Sequence, residues 1–469
     1  MPGVHRKERA EESTDLVVLD ALGPHGSYRP RRTDVITDTA GVAVAQLSLV
    51  PRLFVGRTID AQRKVAPLPF EQRARIIDEA AQRFVHSTIA GLTFQSYVEL
   101  AARVSGLPVS TSARAAREVP RQCFSAGAAI RAAQPRGAAF DWRDERTRTG
   151  GAVWARRGQV YSVHASGNTV GLLGFWIEAL LLGYRVAIRP SRRQPFTAHR
   201  LVLALREAGL RPVDAVYLPT DYGGADELIK SADPSMVYGS QEVVDKYADN
   251  PRVFTNGPGR TKILITAERD WRDYLDVIVH SISAHGGTGC MNTTAVLYEG
   301  DAAPLAEAIA QRLSRIPPLP PADPAAILPT QPTVRALALA EHLARCARDA
   351  TPLLGADQVV VDVGQGYSAM RPSVHLLAEP NLVQLNTELP FPCVWVSPWS
   401  RADGLAPLRN SLVLNAISTD EQLLDTLIDE PTITNVYSGH YATDYTTPEM
   451  PHDGYPADFL MRTKGFVRD

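Results

Sequence analysis

The chain has 469 residues, of which 45% are hydrophobic and 21% are charged, and its formal net charge is -2. This composition is typical of a globular protein of roughly two or three domains, and the near-zero charge argues against nucleic acid or an anionic membrane surface as a partner. The longest apolar run, from Val170 to Leu182, is too short to cross a bilayer, and the charged N-terminus lacks the apolar core of a signal peptide. We therefore expect a cytoplasmic protein.

The N-terminal part of the chain combines a polar segment with strand and helix patterns. Residues 1–30 are polar and contain several glycines and prolines, which predicts a loosely ordered arm. Alternation from Val42 to Leu49 predicts a strand, and amphipathic periods predict helices over 70–84 and 93–104.

From Val153 onward, strand and helix patterns alternate strictly. The predicted strands are 160–165, 185–189, 215–218 and 236–238, and the predicted helices are 170–182 and 196–208. Strands separated by helices of this length imply parallel βαβ units, and hence a doubly wound α/β sheet. Sheets of this kind bind ligands at the carboxyl ends of their strands.

A second alternating region begins near Ile263. It contains a helix pattern over 271–284, a strand pattern over 293–298, and helix patterns over 305–313 and 334–347. The proline-rich stretch from Pro317 to Pro324 could be a linker, but its place between helices of one region favours a surface loop. The tail from 437 to 469 is rich in Tyr, Pro, His and Asp and has no helical period.

Cys290 lies between a predicted helix and a predicted strand in the segment 285–292, HGGTGCMN. The three glycines allow unusual backbone angles and leave room for a ligand to approach the sulfur. This setting predicts a thiolate nucleophile, although cysteine also commonly packs as a small buried hydrophobe. The other cysteines, Cys123, Cys346 and Cys393, have no comparable loop and form no CxxC or Cys/His cluster, so the sequence predicts neither a disulfide framework nor a metal site.

Five short motifs follow one another along the chain. They are Ser166-Gly167-Asn168, Ile188-Arg189-Pro190-Ser191, Tyr238-Gly239-Ser240, Gly286 to Cys290, and Glu388-Leu389-Pro390-Phe391. In this order they resemble Pro-Trp-Asn, Leu-Lys-Pro-Ser, Phe-Thr-Gly-Ser, Gly-Gln-x-Cys and Glu-x-Phe-Gly-Pro of the aldehyde dehydrogenase superfamily. Each motif alone is weak, but five in order at plausible spacing make the resemblance specific over roughly residues 35 to 440.

The resemblance implies an aldehyde dehydrogenase-like α/β fold with two doubly wound Rossmann-type domains and a small oligomerisation arm. Residues 1–137 and 155–265 would form the cofactor-binding domain, and residues 266–436 the catalytic domain that carries Cys290. Residues 138–154 and 437–469 would form the bridging and oligomerisation segments. A homodimer or homotetramer is implied as well.

The resemblance also implies roles for single residues. Cys290 would attack a carbonyl carbon, and the Asn168 amide beside the backbone N–H of Cys290 would hold the oxyanion. Asn168 could equally cap the helix that follows it. The residues implied to bind a nicotinamide cofactor are Arg189 and Ser191 at the adenosine ribose and phosphate, Gly239 and Ser240 at the pyrophosphate, Gly257 beside the nicotinamide, and Glu388 at the nicotinamide ribose. Gly257 could also be a plain turn, and a one-residue shift in register would put Leu389 at the acidic position.

Arg192 stands where family members that use NAD often carry an acidic residue. A guanidinium suits a 2′-phosphate and cannot accept a hydrogen bond from a ribose hydroxyl. This favours NADP(H) over NAD(H), unless Arg192 and Arg193 only form a solvated turn.

His285 and His164 are candidate neighbours of Cys290, since an imidazolium would lower the pKa of the thiol. Histidines near helix ends also serve as caps or surface groups.

Asn256 begins the segment Asn256-Gly257-Pro258-Gly259, where hydrolytic family members have Glu-Leu-Gly-Gly. An amide cannot act as the general base that activates water, so a thioacyl enzyme would persist. We therefore predict NAD(P)H-dependent reduction of an activated acyl group, carried on CoA, a carrier protein or phosphate, to an aldehyde, as in the acyl-CoA reductase branch. The alternative is an aldehyde dehydrogenase that forms an acid with another residue in place of the glutamate. An acyltransferase without a redox step and a non-catalytic scaffold are further alternatives.

Overall fold

The computed structural model describes residues 16–168, 170 and 174–468. Its strands are β1 Val17–Leu19, β2 Ala21–Gly23, β3 Gly26–Tyr28, β4 Thr33–Thr37, β5 Ala43–Ser48, β6 Ala138–Ala139, β7 Gly151–Arg156, β8 Val160–His164, β9 Arg185–Arg189, β10 Ala215–Tyr217, β11 Ser235–Tyr238, β12 Val253–Asn256, β13 Thr261–Ile265, β14 Thr293–Tyr298, β15 Thr330–Pro332, β16 Thr351–Leu354, β17 Val360–Asp362, β18 Tyr367–Met370, β19 Ser373–Leu376, β20 Cys393–Pro398, β21 Ser411–Ile417, β22 Ile433–Tyr437 and β23 Met461–Phe466.

The helices cover these sheets and connect their strands. They are α1 Arg52–Arg63, α2 Phe70–His86, α3 Phe94–Ser105, α4 Val109–Ala133, α5 Gly174–Leu181, α6 Phe196–Glu207, α7 Tyr222–Ser231, α8 Gln241–Tyr247, α9 Leu275–Ser283, α10 Ala303–Leu313, α11 Thr333–Cys346, α12 Leu382–Leu385, α13 Glu421–Asp429 and α14 Pro456–Leu460. No helix within the described ranges is long and apolar enough to cross a membrane.

Two seven-stranded sheets form the body of the protein. The first has the order β12-β11-β8-β9-β10-β2-β3, and its strands from β12 to β10 are parallel. The second has the order β16-β19-β20-β14-β13-β21-β22 and is parallel except at its β16 edge. In each sheet the strand order reverses near the middle, which confirms the predicted α/β fold with doubly wound parallel sheets.

Burial explains why these segments form parallel strands. Every residue of β8, β10, β13 and β21 is buried, as expected for strands that are covered by helices on both faces. The strands predicted over 160–165, 185–189, 215–218 and 293–298 all occur with bounds within a residue or so of the prediction. The first residues of the helix predicted over 170–182 include positions 171–173, which lie outside the described residues.

The structure corrects the prediction of a loosely ordered arm over residues 1–30. Residues 1–15 lie outside the described residues, but residues 17–28 form β1, β2 and β3. Leu19, Ala21 and Leu22 are at most 2% exposed, and β2 pairs antiparallel with β10 at the edge of the first sheet. The glycines and proline of the turn at 23–26 obscured these short strands, because their apolar runs are only three residues long.

One further domain boundary differs from the prediction. β13 lies at the centre of the second sheet, between β14 and β21, so the two large sheets divide before residue 261 rather than at 265. The tail, which shows no helical period in the sequence, contains the short helix α14 and the strand β23. β23 pairs antiparallel with β7 along its whole length, and β6 completes this three-stranded sheet. Two other three-stranded sheets, β1-β5-β4 and β15-β18-β17, lie outside the large ones.

Candidate active site

A cavity of about 530 Å³ is bordered by residues from both large sheets. The first sheet contributes residues that follow its strands at their carboxyl ends, as predicted for a doubly wound fold. The second sheet contributes residues that precede its strands. The lining residues are Ser166, Asn168, Arg193, Tyr238, Gly239, Ser240, Asn256, Gly257, Pro258, Arg260, Thr288, Cys290, Asn386, Thr387, Glu388, Leu389, Pro390 and Asp453. Cys290 is thus presented to a cavity of the size that small ligands and cofactors occupy.

The loop that carries Cys290 owes its shape to a sharp end of helix α9. After Ser283 the chain passes through positive φ angles at His285, Gly286 and Gly287, which an α-helix cannot accommodate. A Cβ atom at Gly287 would lie 2.4 Å from the backbone nitrogen of Pro392. Glycine is therefore required there both for its backbone angle and for the close approach of the neighbouring chain.

Asn292 fixes the loop from its other end. This side chain is 3% exposed, and its Oδ1 accepts a hydrogen bond of 2.8 Å from the backbone N–H of Gly289. Its Nδ2 donates to the carbonyl oxygens of Ser281 at 3.0 Å and Ala284 at 2.8 Å. One amide therefore ties the segment before Cys290 to the end of helix α9.

Residues after β12 and at the start of β13 contact the backbone of Cys290. The hydroxyl of Thr261 donates a hydrogen bond of 2.9 Å to the carbonyl oxygen of Cys290. A Cβ atom at Gly259 would lie only 1.7 Å from that same oxygen, so only glycine fits. The position of the thiol thus depends on backbone contact with residues that directly follow Asn256.

Asn168 lies beside the Cys290 loop, as the sequence predicts. Its Nδ2 donates to the carbonyl oxygen of Thr288 at 3.2 Å, and its Oδ1 accepts a hydrogen bond from Ser166. A side-chain amide carries two N–H hydrogens, so the contact with Thr288 leaves a second donor on the same nitrogen. Asn168 and Cys290 line the same cavity.

A histidine that sequence analysis missed contacts the thiol. Nε2 of His452 lies 3.7 Å from Sγ of Cys290, and its Nδ1 lies 2.5 Å from Oδ2 of Asp453. Burial works against a charged imidazole, but the negative charges of Cys290 and Asp453 outweigh it and raise the pKa of His452 well above its usual range. The only sequence signal was the enrichment of His and Asp in the tail, which does not indicate contact with a residue 162 positions away.

Asn256 and Tyr238 bring polar groups without partners into the cavity. Asn256 is 5% exposed, and within the described residues neither its Oδ1 nor its Nδ2 has a hydrogen-bond partner. The same holds, among those residues, for the hydroxyl of Tyr238. Buried polar groups are nearly always paired, and Asn256 and Tyr238 both line the cavity, so these residues are candidates for contact with a ligand there.

The sequence model of the Aldehyde dehydrogenase family matches residues 52–455. The chain belongs to this family. It is accordingly an NAD(P)-dependent oxidoreductase of the class that acts on aldehydes, and the superfamily predicted from the five motifs is confirmed. No curated protein matched the chain as a relative.

Solved structures with the same fold include several aldehyde dehydrogenases. AldA indole-3-acetaldehyde dehydrogenase of P. syringae, in complex with NAD+ and IAA, is 16% identical with a TM-score of 0.80, covering 95% of this chain and 96% of that one. A 3,6-anhydro-L-galactose dehydrogenase in complex with NAP is 17% identical with a TM-score of 0.79, covering 96% and 99%. Aldehyde dehydrogenase 21 from Physcomitrella patens, in complex with the reaction product succinate, is 12% identical with a TM-score of 0.80, covering 97% and 98%.

The residues of the cavity fit the nicotinamide nucleotide that this family uses. Of the predicted cofactor contacts, Gly239, Ser240, Gly257 and Glu388 line the cavity. A Cβ atom at Gly239 would lie 2.6 Å from Cβ of Val243, so a side chain at this position would clash with helix α8. Glu388 accepts a hydrogen bond of 3.1 Å from the backbone N–H of Arg260, and burial raises the pKa of this carboxyl group. Arg260, which sequence analysis did not single out, adds a guanidinium to the same wall.

Other predicted contacts lie outside the lining. Arg189, Ser191 and Arg192 are not part of it, whereas Arg193 is. Arg192 forms an ion pair with Asp34, and the hydroxyl of Ser191 accepts a hydrogen bond of 3.2 Å from the backbone N–H of Arg193. The turn after β9 thus directs Arg193, rather than Arg192, to the cavity.

The two histidines predicted as neighbours of Cys290 have other surroundings. His164 ends β8 and is 8% exposed, and burial lowers its pKa to about 3, so it does not supply an imidazolium at neutral pH. His285 lies 3.3 Å from the carboxylate of Asp444, which His280 also contacts at 3.4 Å. Burial opposes the charge of Asp444, but hydrogen bonds from both histidines lower its pKa. His285 therefore connects the loop to the tail and does not line the cavity.

Proposed function

We propose that this enzyme oxidises an aldehyde with NAD(P)+ through a thioacyl intermediate on Cys290. The observation that carries the proposal is that one cavity joins Cys290 and Asn168 to Gly239 and Glu388. A nucleophile, an oxyanion donor and candidate contacts for the nucleotide thereby face the same space. The dehydrogenase names of the solved relatives support oxidation over the acyl-CoA reduction that the sequence favours.

The residues would act in the following order. The thiolate of Cys290 adds to the aldehyde carbon, and the free N–H of Asn168 with the backbone N–H of Cys290 holds the oxyanion. The bound nucleotide supplies a hydride acceptor at the substrate carbon. The resulting thioester on Cys290 is then cleaved by water, which gives a carboxylic acid and restores the cysteine.

The second candidate function is NAD(P)H-dependent reduction of an acyl thioester or acyl phosphate to an aldehyde. The specific observation in its favour is that Asn256 lines the cavity, at the position where the sequence resemblance implies the glutamate of hydrolytic family members. An amide has no basic pair to activate water. If no other base reached the thioester, a thiol such as CoA or a carrier-protein pantetheine would exchange with it faster than water.

The cofactor preference that we propose is NADP(H) over NAD(H). Arg193 lines the cavity, and a guanidinium is suited to a 2′-phosphate. Arg192, the residue on which the sequence argument rested, is 67% exposed and is partly neutralised by Asp34. The proposal therefore moves the phosphate contact from Arg192 to Arg193.

We also propose that β6, β7 and β23 form an arm that assembles the protein into a homodimer or homotetramer. β23 has one strand partner among the described residues, so its other edge offers unpaired backbone groups. Trp142, Val153 and Phe466 add an apolar surface beside it. In this scheme the first large sheet and its helices bind the cofactor, and the second carries the nucleophile. Light scattering of the intact protein and of a Phe466→Asp variant tests the assembly, since a monomeric wild type would contradict it.

Three incubations distinguish the two functions. The first supplies a panel of aldehydes with NAD+ or NADP+, the second adds CoA, and the third supplies acyl-CoA with NADPH. Formation of reduced cofactor and free acid in the first, lost in Cys290→Ala, is the expected result. Reduction of acyl-CoA without acid formation from any aldehyde would overturn the proposal in favour of the reductase. Mass spectrometry of the intact protein identifies the acyl group on Cys290.

A further inference from the structure

A histidine and an aspartate of the C-terminal tail lie next to the nucleophile. Sγ of Cys290, the imidazole of His452 and the carboxylate of Asp453 follow one another at 3.7 Å and 2.5 Å. In such an arrangement the histidine takes a proton from the nucleophile, and the acid fixes the tautomer and orientation of the ring. Asp453 also lines the cavity, which places this group of residues beside the reacting atoms.

We propose that His452, oriented by Asp453, is the general base of this enzyme. It holds the proton of the Cys290 thiol before the aldehyde binds, and it later takes a proton from the water that cleaves the thioacyl enzyme. The inference rests on the proposed function and supplies the base that Asn256 cannot provide.

The surroundings of His452 hold it in place. Its side chain is 10% exposed. Nδ2 of Asn435, on strand β22, donates a hydrogen bond of 2.6 Å to the backbone carbonyl of His452 and one of 2.9 Å to the carbonyl of Leu412. The tail is thereby attached to the edge of the second sheet at the point where it passes Cys290. A ring that is buried and supported in this way can return to the same position in every catalytic cycle.

The charge on Cys290 changes during the reaction, and the protonation state of His452 changes with it. In the free enzyme the thiolate and Asp453 favour the imidazolium, although burial opposes it. Conversion of Cys290 to a thioester removes the thiolate charge, which is the largest influence that raises the pKa of His452, so this pKa falls although Asp453 remains. The imidazole then releases its proton and exposes a basic Nε2 beside the thioester, which is the form that can accept a proton from water.

The proton balance of the cycle is complete. The thiolate of Cys290 forms a C–S bond with the aldehyde carbon, the carbon loses a hydride to NAD(P)+, and His452 releases one proton to solvent. Water then adds to the thioester carbon while His452 takes one of its protons. The C–S bond breaks with its electron pair on sulfur, which restores the thiolate and imidazolium pair. The acid product releases the second proton, as oxidation of an aldehyde to a carboxylate requires.

The other titratable groups that line the cavity are Arg193, Tyr238, Arg260 and Glu388. Burial, and then the charge of Asp453, raise the pKa of Tyr238 well above 10, so it stays protonated across the neutral range. Burial also raises the pKa of Glu388. Arginine guanidiniums are not deprotonated in proteins. A histidine-dependent change in the reactivity of Cys290 can therefore be recognised by its loss in a His452 variant.

The first test measures the reactivity of the thiol without cofactor or substrate. The rate of Cys290 alkylation by iodoacetamide, located by mass spectrometry, is followed against pH for wild type and His452→Gln. At neutral pH and below, the wild-type rate should exceed that of the variant, because an imidazolium beside the sulfur favours the reactive thiolate. Superimposable profiles would overturn the proposal. His440→Gln, an exposed histidine of the same tail, is the matched control and should behave as wild type.

The second test separates acylation from hydrolysis, again without a nicotinamide. An activated ester, para-nitrophenyl acetate, acetylates Cys290 and releases nitrophenolate, and water must then remove the acetyl group. In His452→Gln the acetyl enzyme should accumulate and its hydrolysis should slow by about 10²-fold or more. Equal hydrolysis rates in variant and wild type would refute the proposal. Asp453→Asn should slow hydrolysis in the same direction and decides the matter if circular dichroism shows that His452→Gln does not fold.

These tests fail separately from the proposed function. If no aldehyde is oxidised by the wild type with either nucleotide, but both His452 effects are observed, the oxidation proposal is wrong and the role of His452 stands. If aldehydes are oxidised to acids at the wild-type rate by His452→Gln, the oxidation proposal stands and His452 is not its base.

Discussion

Gly259→Ala is expected to displace the nucleophile without touching any reacting group. A Cβ atom at this position would lie 1.7 Å from the carbonyl oxygen of Cys290, and 2.8 Å from its Cα. Both neighbours are backbone atoms, so no flexible side chain can move aside. The two chain segments must separate by about 1.3 Å to reach the shortest contact, 3.0 Å, that real Cβ atoms make.

The expected losses of stability and activity follow from the contacts that this separation disrupts. Overpacking of a filled site costs about 1–3 kcal/mol, and loss of the hydrogen bond from Thr261 to Cys290 adds about 1 kcal/mol. If the strain is retained, the free energy of unfolding should fall by about 2–4 kcal/mol. If the Cys290 loop moves instead, the misplaced thiol should lower kcat by about 10²-fold.

Urea unfolding and steady-state kinetics on the same preparation measure both effects. Gly465→Ala on β23 is the matched control, because a Cβ atom there meets nothing within 4 Å. A Gly259→Ala enzyme that loses less than about 1 kcal/mol of stability and less than about tenfold in kcat would show that the contact with Cys290 is not as described.

Three other changes test separate parts of the structure. Asn292→Ala removes three hydrogen bonds of the Cys290 loop, two of them buried, and should lower the free energy of unfolding in urea by about 3 kcal/mol; a loss under about 1 kcal/mol would contradict the described contacts. Burial raises the pKa of Glu178 from 4.5 to about 8. The unfolded chain loses this proton at a lower pH than the folded protein does, so the free energy of unfolding should fall as pH rises from 4.5 to 8. In thermal unfolding, Glu178→Gln should remove that decline, and an unchanged slope would contradict the assignment. Arg193→Ala should weaken NADPH binding more than NADH binding in fluorescence titrations, whereas Arg192→Ala should have the smaller effect; equal effects of both would remove the phosphate argument.

The large sheets were predictable because their strands are buried on both faces. Segments such as 160–165 and 293–298 are rich in apolar residues and contain no acidic residue, lysine or arginine, and their regular alternation with helices admits few arrangements other than a parallel sheet. The short strands over 17–28 gave no such signal, since three-residue runs interrupted by a turn are too brief for periodicity to detect. They form because Leu19 and Leu22 are buried against the rest of the chain, which is a tertiary effect.

Some residues of the candidate site were likewise predictable from the sequence, and others were not. Cys290 and Asn168 could be selected because each lies next to a regular element with a recognisable motif, and the structure brings them together. Arg192 and Arg193 are adjacent, and only the path of the turn after β9 decides which one faces the cavity. His452 belongs to no periodic segment, so its contact with Cys290 exists only once the tail has packed against β22.

If Asn256 stands where hydrolytic family members carry a glutamate, as the sequence resemblance implies, the packing of the tail bears on how the thioester is cleaved. An aldehyde dehydrogenase without a base near its thioester would stop after one hydride transfer, so the loss of that carboxylate is tolerable only where another group reaches the same carbon or another acceptor takes the acyl group. His452 meets the first condition by contact with Cys290. The segment that carries it continues into α14 and β23, whose pairing with β7 anchors the tail at its far end, while Asn435 anchors it near His452. The proposed base therefore depends on the docking of the whole C-terminal segment, and a change that detaches β23 should weaken hydrolysis of the thioester even though β23 has no residue in the cavity.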